Sequence, residues 1–153
     1  MKPIVLIYLI FVSIISYGVE KKQNRTLFYE DPSIELQGRL SVKIFPGPPN
    51  YESIKAGDEA EDGYYLTLNE QIDVAPDLSK PSDSKYRDDI EKNLKLIQLI
   101  VFDDNLYPKI RKSIKSKELV KLKGVLSHSV TGHHHTPVLI SITEISKFEP
   151  NKK

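Results

Sequence analysis

The chain has 153 residues, 39% of them apolar and 28% charged, with 22 bases against 21 acids and no cysteine. That length suits a single domain, and the lack of cysteine excludes a disulfide framework or a thiol nucleophile. A near-neutral chain carries no overall electrostatic footprint for nucleic acid or anionic lipid.

At the N-terminus, Met1-Lys2-Pro3 bears one positive charge and Ile4 to Ile15 is an apolar run interrupted only by Ser13. Ser16-Tyr17-Gly18 then places small residues three and one before a cut ahead of Val19. This order predicts a secretory signal peptide over residues 1–18, cut after Gly18. The run is shorter than the roughly 18 apolar residues of a spanning helix, so no stable membrane anchor is expected once it is removed. Its loss takes one base, Lys2, and no acid, leaving 21 against 21. The expected location is periplasmic or secreted.

Residues 19–33 are mixed and polar, an N-terminal tail or an edge segment. From Ile34 to Phe45, Ile34, Leu36, Leu40, Val42 and Ile44 share one parity while Glu35, Gln37, Arg39, Ser41 and Lys43 share the other. Such alternation predicts a strand with one buried face. Gly38 falls at an inward position, where a missing side chain marks a bend, a bulge or a close backbone approach. Pro46-Gly47-Pro48-Pro49-Asn50 ends the strand and opens a loop to Gly63, longer than a hairpin connection requires.

A second strand is expected over Tyr64 to Leu68, with a continuation to Val74, and a polar insertion over residues 75–94. Leu96 to Phe102 is almost continuously apolar, broken by Gln98, and suits a central strand. Asp103-Asp104-Asn105 supplies capping residues, Leu106, Ile110 and Ile114 recur every four positions, and lysines crowd the far end. These features predict one short amphipathic helix. A fourth strand spans Leu119 to His128, with Val120, Leu122 and Leu126 inward and Gly124 again replacing an inward side chain. Ser129 to Thr136 is a turn, Val138 to Ile145 the last strand, and residues 149–153 a C-terminal tail.

The order strand, strand, strand, helix, strand, strand predicts a mainly β domain over residues 34–148. Its architecture is a small OB-fold-like five-stranded barrel with one short helix between strands three and four. A small open antiparallel sheet packed on one helix is the competing architecture. In an OB barrel the loops joining strands one to two and four to five flank the binding face. Here those are the 46–63 and 129–136 loops, the two least ordinary segments of the chain. The expected ligand-binding residues are Pro46, Pro48, Pro49, Tyr51, Glu52, Asp58, Glu59, Thr131, His133 and His135.

Three of the four histidines fall within Thr131-Gly132-His133-His134-His135-Thr136. If that run is extended, His133 and His135 point the same way about 7 Å apart. With His128 brought across the turn they would give three nitrogens for zinc, and Glu52, Asp58 and Glu59 oxygen ligands or partners. The alternative is a solvated turn with no metal. The acidic run Asp58 to Asp62 lacks the EF-hand pattern. Tyr51, Tyr64 and Tyr65 could form an aromatic platform, although neutral charge and secretion argue against nucleic acid. No catalytic residue is assigned: there is no serine elbow, HExxH or phosphate loop. Ser127 and Ser129 flank His128 but point to the other face.

Phe45-Pro46-Gly47-Pro48-Pro49-Asn50-Tyr51-Glu52-Ser53-Ile54, Gly57-Asp58-Glu59, Ile97-Gln98-Leu99, Gly124-Val125-Leu126 and the histidine turn together resemble the bacterial domain-of-unknown-function family 4431. The resemblance runs from about Leu36 to Ile145. It implies a secreted or periplasmic protein with no established activity, in a family some of whose members carry a further domain similar to lysozyme inhibitors. Ala60-Glu61 stands where the family leads one to expect proline-glutamate. The function expected from residues and resemblance together is a non-catalytic binding or inhibitor-like domain contacting a protein or cell-envelope ligand, with zinc binding at the histidine turn as the alternative.

Overall fold

The computed structural model describes residues 23–80, 89–131 and 134–149. The expected signal peptide, part of the polar insertion, Gly132, His133 and the last four residues lie outside them. The elements are β1 (Arg25–Phe28), β2 (Ile34–Pro46), β3 (Ala60–Ala75), β4 (Glu91–Ile100), α1 (Tyr107–Ser116), β5 (Leu119–His128) and β6 (Val138–Lys147). β2 pairs antiparallel with both β3 and β5, and β3 pairs antiparallel with β4. β4 runs parallel to β6, which returns antiparallel to β5. The circuit β2-β3-β4-β6-β5 is therefore a closed five-stranded barrel with the expected OB-like order, and closure removes the open sheet edges that β proteins must otherwise protect.

Alternation produced the core as read. Leu36, Leu66, Ile97, Val120, Leu122, Leu126 and Ile140 fill the interior with almost no exposure. Each such side chain contributes about 1.5–3 kcal/mol relative to exposure. The two inward glycines are close-approach positions: a Cβ on Gly38 would stand 2.2 Å from the Thr67 carbonyl oxygen, and one on Gly124 would stand 2.3 Å from that of Ser141. The barrel bends tightly there because nothing projects, and the β5–β6 register shifts between Lys123 and Gly124.

The helix follows its local signals. Asp103 accepts from the Asn105 amide at 2.9 Å, starting the 3-10 turn Asp104–Leu106 that leads into α1. Lys117 ends α1 in the left-handed region, its amide on the Ile114 carbonyl. Leu106 and Ile110 reach the core.

Of the two forms expected for the N-terminal segment the structure takes the edge segment: β1 lies parallel on β3, Leu27 and Tyr29 are buried, and the Tyr29 and Glu30 amides bond the carbonyls of Ala75 and Leu126. Elsewhere the boundaries differ from expectation. β3 starts at Ala60, which shortens the first loop, and runs to Ala75. β4 begins at Glu91, inside the expected insertion, and ends at Ile100, leaving Phe102 81% exposed. Val42 and Ile44, read as inward, are exposed. The reason is topological: β5 leaves β2 after Arg39 and β4 leaves β3 at Tyr65, so the ends of β2 and β3 continue as a two-stranded ribbon with no barrel interior to face.

Candidate functional site

The loop between β2 and β3 closes at its neck, where the Gly47 amide donates to the Glu59 carbonyl at 2.7 Å and the Glu59 amide to that of Pro48 at 2.8 Å. Within it, Asp58 is 5% exposed. Its Oδ1 accepts from the backbone and side-chain nitrogens of Asn50, and its Oδ2 from the amides of Glu52 and Ser53 at 2.8 and 2.7 Å. Those four donors occupy the carboxylate's four lone-pair positions. The Ser53 and Glu52 amides, in that order, hold its carboxyl below the usual range despite burial. Asp58, expected to contact ligand, instead shapes the loop. Pro48, Pro49, Tyr51, Glu52, Ile54 and Glu59 are left on its outside, with Tyr51 in the left-handed region at φ 59.

The β5–β6 turn is pinned from beneath by a residue that the sequence showed as an interruption of an apolar run and as part of the Ile97-Gln98-Leu99 motif, with no role assigned. Gln98 sits at 8% exposure on β4 and its Oε1 accepts from the His135 amide at 2.7 Å. The Gln98 amide donates to Thr136 Oγ1 at 3.0 Å, and that hydroxyl donates to the Val138 carbonyl at 2.7 Å. The signal was present: a glutamine in an apolar strand needs a partner, and buried polar groups find one. His134 folds back on its own turn, its Nδ1 accepting from the Val130 amide and its own amide bonding the exposed Thr131.

The two loops meet at their bases. The His135 ring stacks on Phe45 with centroids 3.8 Å apart and planes within 9°. Beside the stack, Tyr65 points outward from the barrel on the parity opposite Leu66, yet is 1% exposed. Phe45 lies 6.2 Å from its ring and the Lys43 ammonium 5.1 Å over it. Burial pushes the Tyr65 hydroxyl pKa up, and among the described residues that hydroxyl has no hydrogen-bond partner.

His128 is engaged elsewhere. The ladder sets it opposite Val138 rather than His135. Its Nε2 lies 3.1 Å from Glu91 Oε1, its Nδ1 2.9 Å from the Ser129 carbonyl, and its ring edge-on to Tyr29. Among the described residues no three His, Asp or Glu side chains are grouped to hold a metal, and the candidate ligand His133 lies outside them. The tyrosines do not form the platform considered for them, since Tyr64 turns inward against Tyr107, Tyr65 outward, and Tyr51 sits on the loop. A polar cleft of about 290 Å³ lined by Arg25, Glu35, Gln37, Asn69 and Gln71 lies near the β3 irregularity, away from the stack.

Residues 96–146 match the family described as Domain of unknown function (DUF4431), which bears out the resemblance over the second half of β4, α1, β5 and most of β6. The matched stretch includes Gln98 and the histidine turn and stops short of the β2–β3 loop. No curated protein and no solved structure matches the chain.

Proposed function

We propose that this protein is a non-catalytic binding domain, inhibitor-like in presenting a preformed loop. It takes a protein or cell-envelope ligand on the rim made by the β2–β3 loop and the β5–β6 turn. The observation that carries this reading is the Phe45–His135 stack, which joins the two loops that flank the binding face of an OB barrel. Preorganisation supports it: with Asp58 holding the loop, little ordering entropy is lost when Tyr51 and Ile54 meet a partner. The apolar run at residues 4–15 supports a site of action outside the cytoplasm, periplasmic or secreted.

The test immobilises the protein and challenges it with an envelope fraction and with cell-wall hydrolases assayed for inhibition. Tyr51→Ala combined with His135→Ala is expected to abolish capture while circular dichroism and melting stay those of the parent. Undiminished capture by the double variant refutes the assignment to these loops.

A further inference from the structure

Whole-chain neutrality conceals a local asymmetry. α1 and its cap carry Lys109, Arg111, Lys112, Lys115 and Lys117, all exposed, and no acid lies between Tyr107 and Ser116. The Arg39 guanidinium joins them by donating to the Lys117 carbonyl. None of the five helix cations is in an ion pair among the described residues, and Arg111 lies over the Tyr107 ring. On β5, by contrast, Lys121 and Lys123 pair with Glu35 and Glu144. The acids nearest in sequence are Asp103, Asp104 and Glu118, and in space Glu144 of β6, whose carboxyl is held below its ordinary value mainly by Lys123, also feels Lys109. Of these, Asp103 is held by Asn105 and Glu118 accepts from Ser113.

Helix stability does not explain the pattern. Cations favour a C-terminal turn, which accounts for Lys115 and Lys117, but Lys109 stands in the first turn, where the helix dipole disfavours it. Lys109 with Lys112, Lys112 with Lys115, and Arg111 with Lys115 are like-charge neighbours at spacings that repel. α1 packs against β2, whose Val42 and Ile44 are exposed. Phe102, five residues before α1 begins, is the most exposed large apolar side chain among the described residues. Exposed cations on one helix, with exposed apolar side chains on the strand it packs against and on the segment leading into it, are complementary to an anionic bilayer, which takes the charges at its headgroups and the apolar groups at their boundary.

We propose that α1 is a peripheral docking face for an anionic phospholipid surface, separate from the two-loop rim. Cosedimentation of the full chain with phosphatidylglycerol–phosphatidylcholine vesicles, against phosphatidylcholine alone, tests it. The expected result is partition onto the anionic vesicles that falls as salt rises. Replacing Lys109, Lys112 and Lys115 together by alanine is expected to reduce that partition by about a hundredfold, and Phe102→Ser by about tenfold. Circular dichroism confirms that these exposed changes leave the fold intact. Equal partition of parent and triple variant onto both vesicle types, the behaviour of a chain held by the apolar run at residues 4–15 and not by α1, overturns the proposal. Tighter retention by soluble heparin than by the anionic bilayer overturns it too, since the face would then serve a polymer.

Discussion

Replacing Gln98 with leucine keeps almost the same volume and removes the Oε1 acceptor together with the side-chain NH2, so its effect reports on what holds the histidine turn. The lost bond, from the His135 amide at 2.7 Å, is made by a glutamine buried to 8% exposure. His135 itself is exposed, so water reaches the released amide and limits the cost to about 1–2 kcal/mol. The bond from the Gln98 amide to Thr136 survives, being a backbone donor, which confines the damage to the turn. In urea the midpoint is expected to fall by roughly 0.5–1 M with an unchanged slope. The Phe45 ring current on the His135 ring protons, read by NMR, should collapse as the stack loosens. Thr136→Val removes the second anchor, and a double-mutant cycle should show coupling of about 0.5–1 kcal/mol between the two positions. An unaltered midpoint together with an unshifted His135 spectrum would refute the claim that Gln98 pins the turn.

Gly124→Ala is expected to cost about 1–3 kcal/mol or more in urea unfolding, because the new Cβ meets the Ser141 backbone rather than a side chain that can swing away; a neutral result would mean that β5 and β6 part easily. For Asp58, the folded-state carboxyl is lowered below its ordinary value of 3.8, so its stabilisation is complete above that value and disappears as pH falls through the folded one. The stability gap between the parent and Asp58→Asn should therefore hold steady near neutrality and shrink below about pH 4. A gap that does not change with pH contradicts the four-donor account. The rim prediction, loss of capture by the Tyr51 and His135 double variant, rests on neither of these.

Strand parity was legible wherever a strand stayed on the barrel, since a period-two pattern reports which face meets the core. At Val42 and Ile44 the same parity continued past the last rung from β5 and misled, because pairing length is set by partner strands distant in the chain. Asp58 shows a similar limit. Its place in an acidic run suggested a solvated or ligand-facing carboxylate, whereas the folded loop turns four donors onto it. Gln98 was visible as an anomaly in an apolar run but its partner was not, since the His135 amide lies 37 residues away.

What the amino-acid sequence determined by itself is the local and periodic: the alternating faces, the side-chain-free positions at Gly38 and Gly124, the helix with its cap, and hence an OB-like order of elements. Those follow from backbone sterics and burial along short windows. Tertiary structure alone decided that Phe45 lies flat on His135, that Tyr65 is covered beside them, that His128 turns to Glu91, and that the cations of α1 lie on its exposed side outside the ion pairs that hold Lys121 and Lys123. Each of these is a meeting of groups, or a failure to meet, that only barrel closure can arrange.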